Sequence, residues 1–141
     1  MVNSRSKGQR GEREVVKWLQ PIVDEVLGAG QVALERNLVQ SRQGGYDIAG
    51  LPWLALEVKR RESGFAVSWW QQTLRQAGEG QEPVLLWRTN NRPWKARILA
   101  PVVTDRWMTV PLELDMDVEP FEAWFRQRLQ ISRLTVDTVP R

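Results

Sequence analysis

Asp47, Glu57 and Lys59 are residues whose types and spacing could do chemistry together. Over 54–59, Leu54, Leu56 and Val58 alternate with Ala55, Glu57 and Lys59, so an extended backbone puts Glu57 and Lys59 on one face. Gly50, Leu51, Pro52 and Trp53 bring turn character between this stretch and residues 46–49, which implies a hairpin. With a turn over 51–53, Asp47 falls opposite Glu57, and cross-strand partners hold their Cβ atoms about 5 Å apart. Two facing carboxylates repel each other. A divalent cation would relieve that repulsion, since Mg²⁺ takes one or two carboxylates and completes its shell with water and phosphate oxygens. The same residues also fit the solvated face of an amphipathic hairpin, and alternation alone does not choose between the two.

Glu12 is a third acid in an unusual place. It precedes Val15, Val16 and Leu19 at helical spacing, on the apolar side of the pattern. Either it reaches into a polar pocket, or it occupies the first turn of the helix, where the dipole favours an acid. Composition narrows what such acids could do. The chain has no cysteine and no histidine, which excludes disulfides, thiol nucleophiles, Cys/His zinc sites and a Ser-His-Asp triad. Catalysis must rest on carboxylates, Lys, Arg, Ser, Tyr or a hard metal held by oxygen. The net charge is +3 with a pI of about 9.8, and Lys7, Lys17, Lys59 and Lys95 are the only lysines. An arginine-rich balance suits phosphate recognition, although GC-rich coding would produce it as well.

The elements that must position these acids can be read from periodicity. Residues 1–8 are polar and basic and read as a flexible lead-in. Val15, Val16, Leu19, Ile22, Val23, Val26 and Leu27 form one apolar stripe, a helix that Pro21 kinks or restarts and that Gly28 and Gly30 end. Strands are expected over 32–39, 46–49 and 54–59, a helix over 68–77, and strands over 84–88, 94–99 and 107–114. A final helix over 119–129 places Phe121, Phe125 and Leu129 on one side. This order implies an α/β or α+β domain with a sheet flanked by helices. At 141 residues, 42% hydrophobic and 26% charged, one domain with a true core is expected, its segment from about 107 onward an extension. No apolar run is long enough to span a bilayer, and the N-terminal sequence has no secretory character. A cytoplasmic protein is expected, or one in the cytoplasm of a phage host.

Taken together, Asp47 followed by Glu57-Val58-Lys59 across a hairpin resembles the PD-(D/E)xK nuclease motif, with Tyr46 where proline is usual. Lys7-Gly8 and Arg10-Gly11-Glu12-Arg13-Glu14 are similar to the N-terminal helix motif of archaeal-type Holliday junction resolvases. Ser41, Gly44, Gly45, Asp47 and Ile48 match that family's serine and Gly-rich segment ending in Asp-Ile. The resemblance covers residues 5–90, approximately, and it implies a restriction-endonuclease-like core with a central mixed sheet. It implies that Asp47, Glu57 and the Val58 carbonyl bind Mg²⁺, with Mn²⁺ able to substitute. Glu12 would complete the shell directly or through water, and Lys59 would orient the attacking water. Gln72, in Trp69-x-x-Gln72, matches the glutamine that follows the core motif in many of these nucleases, and equally fits a helix surface.

The expected activity is then metal-dependent hydrolysis of DNA, most specifically paired nicking of four-way junctions by a homodimer. Another DNA-processing or restriction-like nuclease acting on duplex, flap or single-stranded DNA is the alternative, and a non-catalytic DNA-binding module the third reading. Arg5, Lys7, Arg10 and Arg13 at the first helix, with Arg36, Ser41, Arg42, Arg60 and Arg61 around the strand ends, are the expected phosphate contacts. Some of these are expected to be ordinary solvated charges. The eight tryptophans are expected mainly in core or interface, with Trp18, Trp69 and Trp70 as candidates for a dimer surface. No membrane and no small-molecule cofactor is expected.

Overall fold

The computed structural model describes residues 4–38, 46–62 and 64–138, with side chains between 7 and 134. Among the described residues nine elements follow in order. Helix α1 covers Ser4–Leu27, and strands β1 (Glu35–Arg36), β2 (Ile48–Ala49) and β3 (Leu54–Arg61) come next. Helix α2 (Val67–Gln76) leads to β4 (Glu82–Thr89), β5 (Lys95–Val103) and β6 (Thr109–Met116), and helix α3 (Val118–Thr138) closes the chain. The six strands form one sheet in the order β1-β2-β3-β4-β5-β6. Among the described strands only β3 and β4 run parallel; the other neighbours are antiparallel. The parallel pair needs a crossover, and α2 supplies it. The architecture is therefore α+β, a mixed sheet with helices on both faces.

Alternation decides which helix covers which face. Leu54, Leu56 and Val58 of β3, Val84 and Leu86 of β4, and Ala96 and Ile98 of β5 join one core. Val15, Leu19, Ile22 and Val23 of α1 and Phe121, Phe125 and Leu129 of α3 complete it. The three- and four-residue spacings of these helical positions form the apolar stripes read from the sequence. Phe121, Phe125 and Leu129 are at most 1% exposed, so the helix within the segment after 107 packs its apolar side into this core, while the β6 strand before it is mostly exposed. The opposite face, carrying Ala55, Glu57 and Leu85, is covered by α2, whose Trp70 and Thr73 are buried.

Helix α1 begins by Ser4 and runs through Pro21, so the flexible lead-in expected over 1–8 is helical from its fourth residue. Buried Lys7, paired with Glu62 at 3.3 Å, ties it down. Proline removes one amide donor, and the packing of Val15 to Val23 carries the helix past that loss. Of the strand expected over 32–39, the described residues form Glu35–Arg36, paired with Ala49 and Ile48, and position 39 lies outside the described residues. Asp47 lies just before β2, not within it. Gly50 has φ +132°, and a Cβ there would meet the Ala33 carbonyl oxygen at 2.6 Å; only glycine fits this turn. Trp18 stacks on Trp94 and lies tilted against Phe121 and Trp70 is buried, so these two rings pack within the fold, while Trp69 is half-buried. No helix among the described residues is long and apolar enough to cross a membrane.

Candidate metal and phosphate site

The strongest cluster of ionisable groups lies where β3 passes the loop before β2. The register Ile48↔Leu56 brings Asp47 to the level of Glu57, as the assumed hairpin requires. Asp47 then grips the backbone on both sides of Glu57. Its amide donates to the Leu56 carbonyl at 2.9 Å, and its Oδ2 accepts the Val58 amide at 2.7 Å. The Asp47 carbonyl accepts from the Asn37 amide at 2.7 Å, while the Asn37 side chain donates to the Tyr46 carbonyl at 2.9 Å. Asp47 is 4% exposed and Glu57 2%. The solvated-hairpin alternative is excluded for both.

Burial makes this pair electrostatically costly. Oε2 of Glu57 has no hydrogen-bond donor, and its Oε1 has Lys59 Nζ at 3.4 Å. Burial first, and the Asp47 charge second, push the Glu57 carboxyl up to about 8, with Lys59 opposing. A proton held between the two carboxyls would bridge them, and only with both ionised is Oε2 left bare. A cation would fill the same gap. The donor set fits one: two carboxylates, plus a backbone oxygen. A residue's N–H and C=O leave an extended strand on the same edge, so the Val58 carbonyl faces the side on which Asp47 holds its amide.

Glu12 stands nearby without joining. It sits in the interior of α1, whose first turn contains no acid, so the helix-start reading does not apply. Arg36 Nε donates to Glu12 Oε2 at 2.9 Å. Burial is the main cause that raises the Glu12 pKa; Arg36 opposes it, and the Asp47 charge adds to it. Glu12 is thus within electrostatic reach of Asp47, yet engaged with Arg36. Among the described residues no three acids are grouped so as to hold a metal ion. The site is a pair with a third acid in waiting.

Close contact between α1 and β3 sets this geometry. A Cβ on Gly11 would meet Arg60 Cβ at 3.0 Å, Val58 Cγ1 at 3.5 Å and Trp94 Cη2 at 3.6 Å, so Gly11 lets the helix bearing Glu12 lie on the strand bearing Glu57. Gln72 is half-buried on α2, which covers the Glu57 face, and its side chain makes no hydrogen bond with another described residue.

The basic residues divide. Arg10 and Arg13 are exposed on α1. Lys7 is buried against Glu62 and Arg36 is spent on Glu12, so neither is an open phosphate contact. Arg60 lies 3.5 Å from Glu14, and Arg61 Nη1 donates to the Arg60 carbonyl at 3.2 Å. The Arg5 side chain, Ser41 and Arg42 lie outside the described residues. Sequence reasoning missed Asn37, and Glu14, which also pairs with Arg88 at 3.1 Å. These partners are far apart in the chain and leave no local signal. It also missed Trp87, which pairs with Lys59, and Phe65 against it with the Arg97 guanidinium over that ring, although Trp87 stands in an expected strand. No family model, no curated protein and no solved structure matches this chain.

Proposed function

We propose that this chain is a metal-dependent DNA endonuclease, most specifically one that makes paired nicks in four-way junctions as a homodimer. The observation that carries the proposal is the buried Asp47–Glu57 pair, with one oxygen lacking a donor and an ammonium group 3.4 Å from the other. Burying two acids side by side costs desolvation and mutual repulsion, and a bound cation would offset both. The resemblance of 5–90 to junction resolvases supports the substrate class.

In this reading Asp47, Glu57 and the Val58 carbonyl would hold Mg²⁺, and Glu12 would complete its shell directly or through water. Bound there, the metal supplies Lewis-acid charge and acidifies water. Asp47 does double service, since the carboxylate that holds the Val58 amide also fixes the strand on which Glu57 sits. Lys59 presents fixed positive charge where the phosphate gains negative charge. The water oxygen forms the new P–O bond as the bond from phosphorus to one sugar oxygen breaks, and the proton that water gives up is balanced by the one the departing sugar oxygen takes. Gln72 sits on the helix above this face and would orient the water. Arg10 and Arg13 supply open positive charge for the phosphate backbone.

The test is cleavage of a labelled four-way junction beside matched duplex, flap and single-stranded DNA, in Mg²⁺ or EDTA. Symmetric paired nicks confined to the junction are expected, with a particle mass of two chains. Cutting of other DNA forms instead would make it a different nuclease on the same site. Lys59→Ala is expected to abolish cutting while sparing junction affinity. If Asp47→Asn cuts as well as the parent, the site is wrong; if no DNA is cut but DNA binds, the chain is a binding module.

A further inference from the structure

A cleft of about 300 Å³ opens next to Lys59, lined by Gly64, Phe65, Trp87, Thr89, Arg92, Pro93 and Lys95. Its volume is at the lower end of small-molecule sites, which run from roughly 300 to 1,000 Å³. Strand register fixes its position. Lys59 pairs with Trp87 in the parallel β3–β4 ladder, and Trp87 pairs with Lys95 across β4–β5. Paired residues project to the same face on strands about 4.8 Å apart, so the Trp87 ring is the immediate neighbour of the Lys59 side chain. The cleft wall thus stands on the strand next to the one that carries Glu57 and Lys59.

The lining has the chemistry of a base site. Phe65 and Trp87 stand 5.1 Å apart between ring centroids at 57°, and Arg97 covers Phe65 with its guanidinium 4.5 Å from the ring centroid. That cation buttresses the aromatic wall from behind and is itself held by Asp115 at 2.6 Å. Pro93 adds an apolar side. The rim is cationic: Lys95 is tied to Asp117, whereas Arg92 is exposed with no acidic partner among the described residues. Its backbone is nonetheless fixed, since the Arg92 amide donates to the Thr89 carbonyl at 3.1 Å and its carbonyl accepts Arg88 Nε at 2.9 Å. A rigid aromatic wall with a free guanidinium at the mouth suits a flat ring carrying a phosphate.

We propose that this cleft seats one unpaired nucleobase next to the phosphate being cut, with Trp87 against the base and Arg92 on the adjoining phosphate. A base inside a duplex is stacked on both faces and cannot enter. A base at a branch point, flap or single strand can, and stacking on an aromatic wall tolerates any of the four bases. The position relative to the cut rests on the nuclease reading; the base-binding chemistry of the cleft does not.

The test uses the full chain in EDTA, with fluorescence anisotropy of labelled single-stranded and fully paired oligonucleotides. Trp87→Leu should weaken single-strand binding by roughly tenfold or more, with a clearly smaller loss for paired DNA. Arg92→Glu, at an exposed site that does not touch the core, should act in the same direction and keeps the test valid if Trp87→Leu fails to fold. In Mg²⁺ both should slow cutting beside unpaired bases more than any cutting within duplex. Unchanged single-strand binding in Arg92→Glu and in folded Trp87→Leu would overturn the proposal. Equal losses on paired and unpaired DNA would overturn it too, making the cleft a path for the duplex backbone. Selective loss of single-strand binding without cleavage by the parent protein would uphold the cleft and refute the nuclease reading. Normal cleavage with no selectivity would do the reverse.

Discussion

At the scale of the residue, Glu57 joins stability to function. Folding raises its pKa from 4.5 to about 8, chiefly by burial and then by the Asp47 charge, so the folded state holds this proton more tightly than the unfolded chain. The stabilisation is complete below pH 4.5 and is lost as pH rises through about 8. A melting temperature followed in EDTA is therefore expected to fall across that window. On the proposed metal assignment Mg²⁺ would bind only the ionised pair, so it should restore more stability at the upper end than at the lower. Glu57→Gln should flatten both the pH slope and the Mg²⁺ response; a parent protein equally responsive to Mg²⁺ at both ends would contradict the metal assignment. Asp47→Asn offers a cleaner separation. The amide oxygen of asparagine can still accept the Val58 amide, so the fold should persist while the charge that raises the Glu57 pKa disappears. The pH slope should shift to lower pH, measured by the same melts, and cleavage should vanish. Asp47, Glu57 and Lys59 were legible in the sequence because a strand's two-residue period and one short turn suffice to bring them together. The engagement of Glu12 by Arg36 was not, since it depends on where a helix and an edge strand dock.

At the scale of the element, the docking of α1 on β3 brings Glu12 towards the pair, and Gly11 permits it. Gly11→Val would drive branched carbons against Arg60 Cβ, 3.0 Å from even a first Cβ, and against Val58 and Trp94. Overpacking of this kind costs about 1–3 kcal/mol, and a helix pushed off the strand also carries Glu12 away. Denaturant unfolding should show that loss, together with a fall in cleavage. Gly8→Ala is the control on the same helix: nothing lies within 4 Å of its Cβ position, and relief of glycine's helix penalty is worth about 1 kcal/mol. If both variants were equally stable, the close approach at Gly11 would not constrain α1. The long elements were readable because their stripes are cut deep into the core, as in Val15 to Val23 and Leu54 to Val58. Strand β1 was not, because pairing length is set by the partner. Glu35 and Arg36 pair with Ala49 and Ile48, and the Asn37 amide runs on to the Asp47 carbonyl, partners that no local pattern in 32–39 announces.

At the scale of the whole molecule, a modest excess of positive charge becomes useful only where it is unspent. Lys7, Arg36, Arg60, Arg88, Arg97, Arg126 and Arg128 all face acids, so much of the arginine-rich composition is internal electrostatics. Arg10, Arg13 and Arg92 are exposed and have no acidic partner in an ion pair among the described residues, which makes them the better candidates for phosphate. Each phosphate contact steepens the salt dependence of DNA binding, because neutralising a phosphate releases its condensed counterion. Arg10→Ala and Arg13→Ala are each expected to weaken binding of any DNA sequence and to reduce the slope of log K against log salt by about 1. Lys7→Met should leave that slope intact, because a buried ammonium facing Glu62 reaches no phosphate, and should instead alter the melting temperature. Anisotropy titrations over a range of salt concentrations separate the two groups. If Lys7→Met flattened the slope while Arg10→Ala and Arg13→Ala did not, DNA would have to approach from the end of β3 with the α1 start opened, and the surface assigned here would be the wrong one.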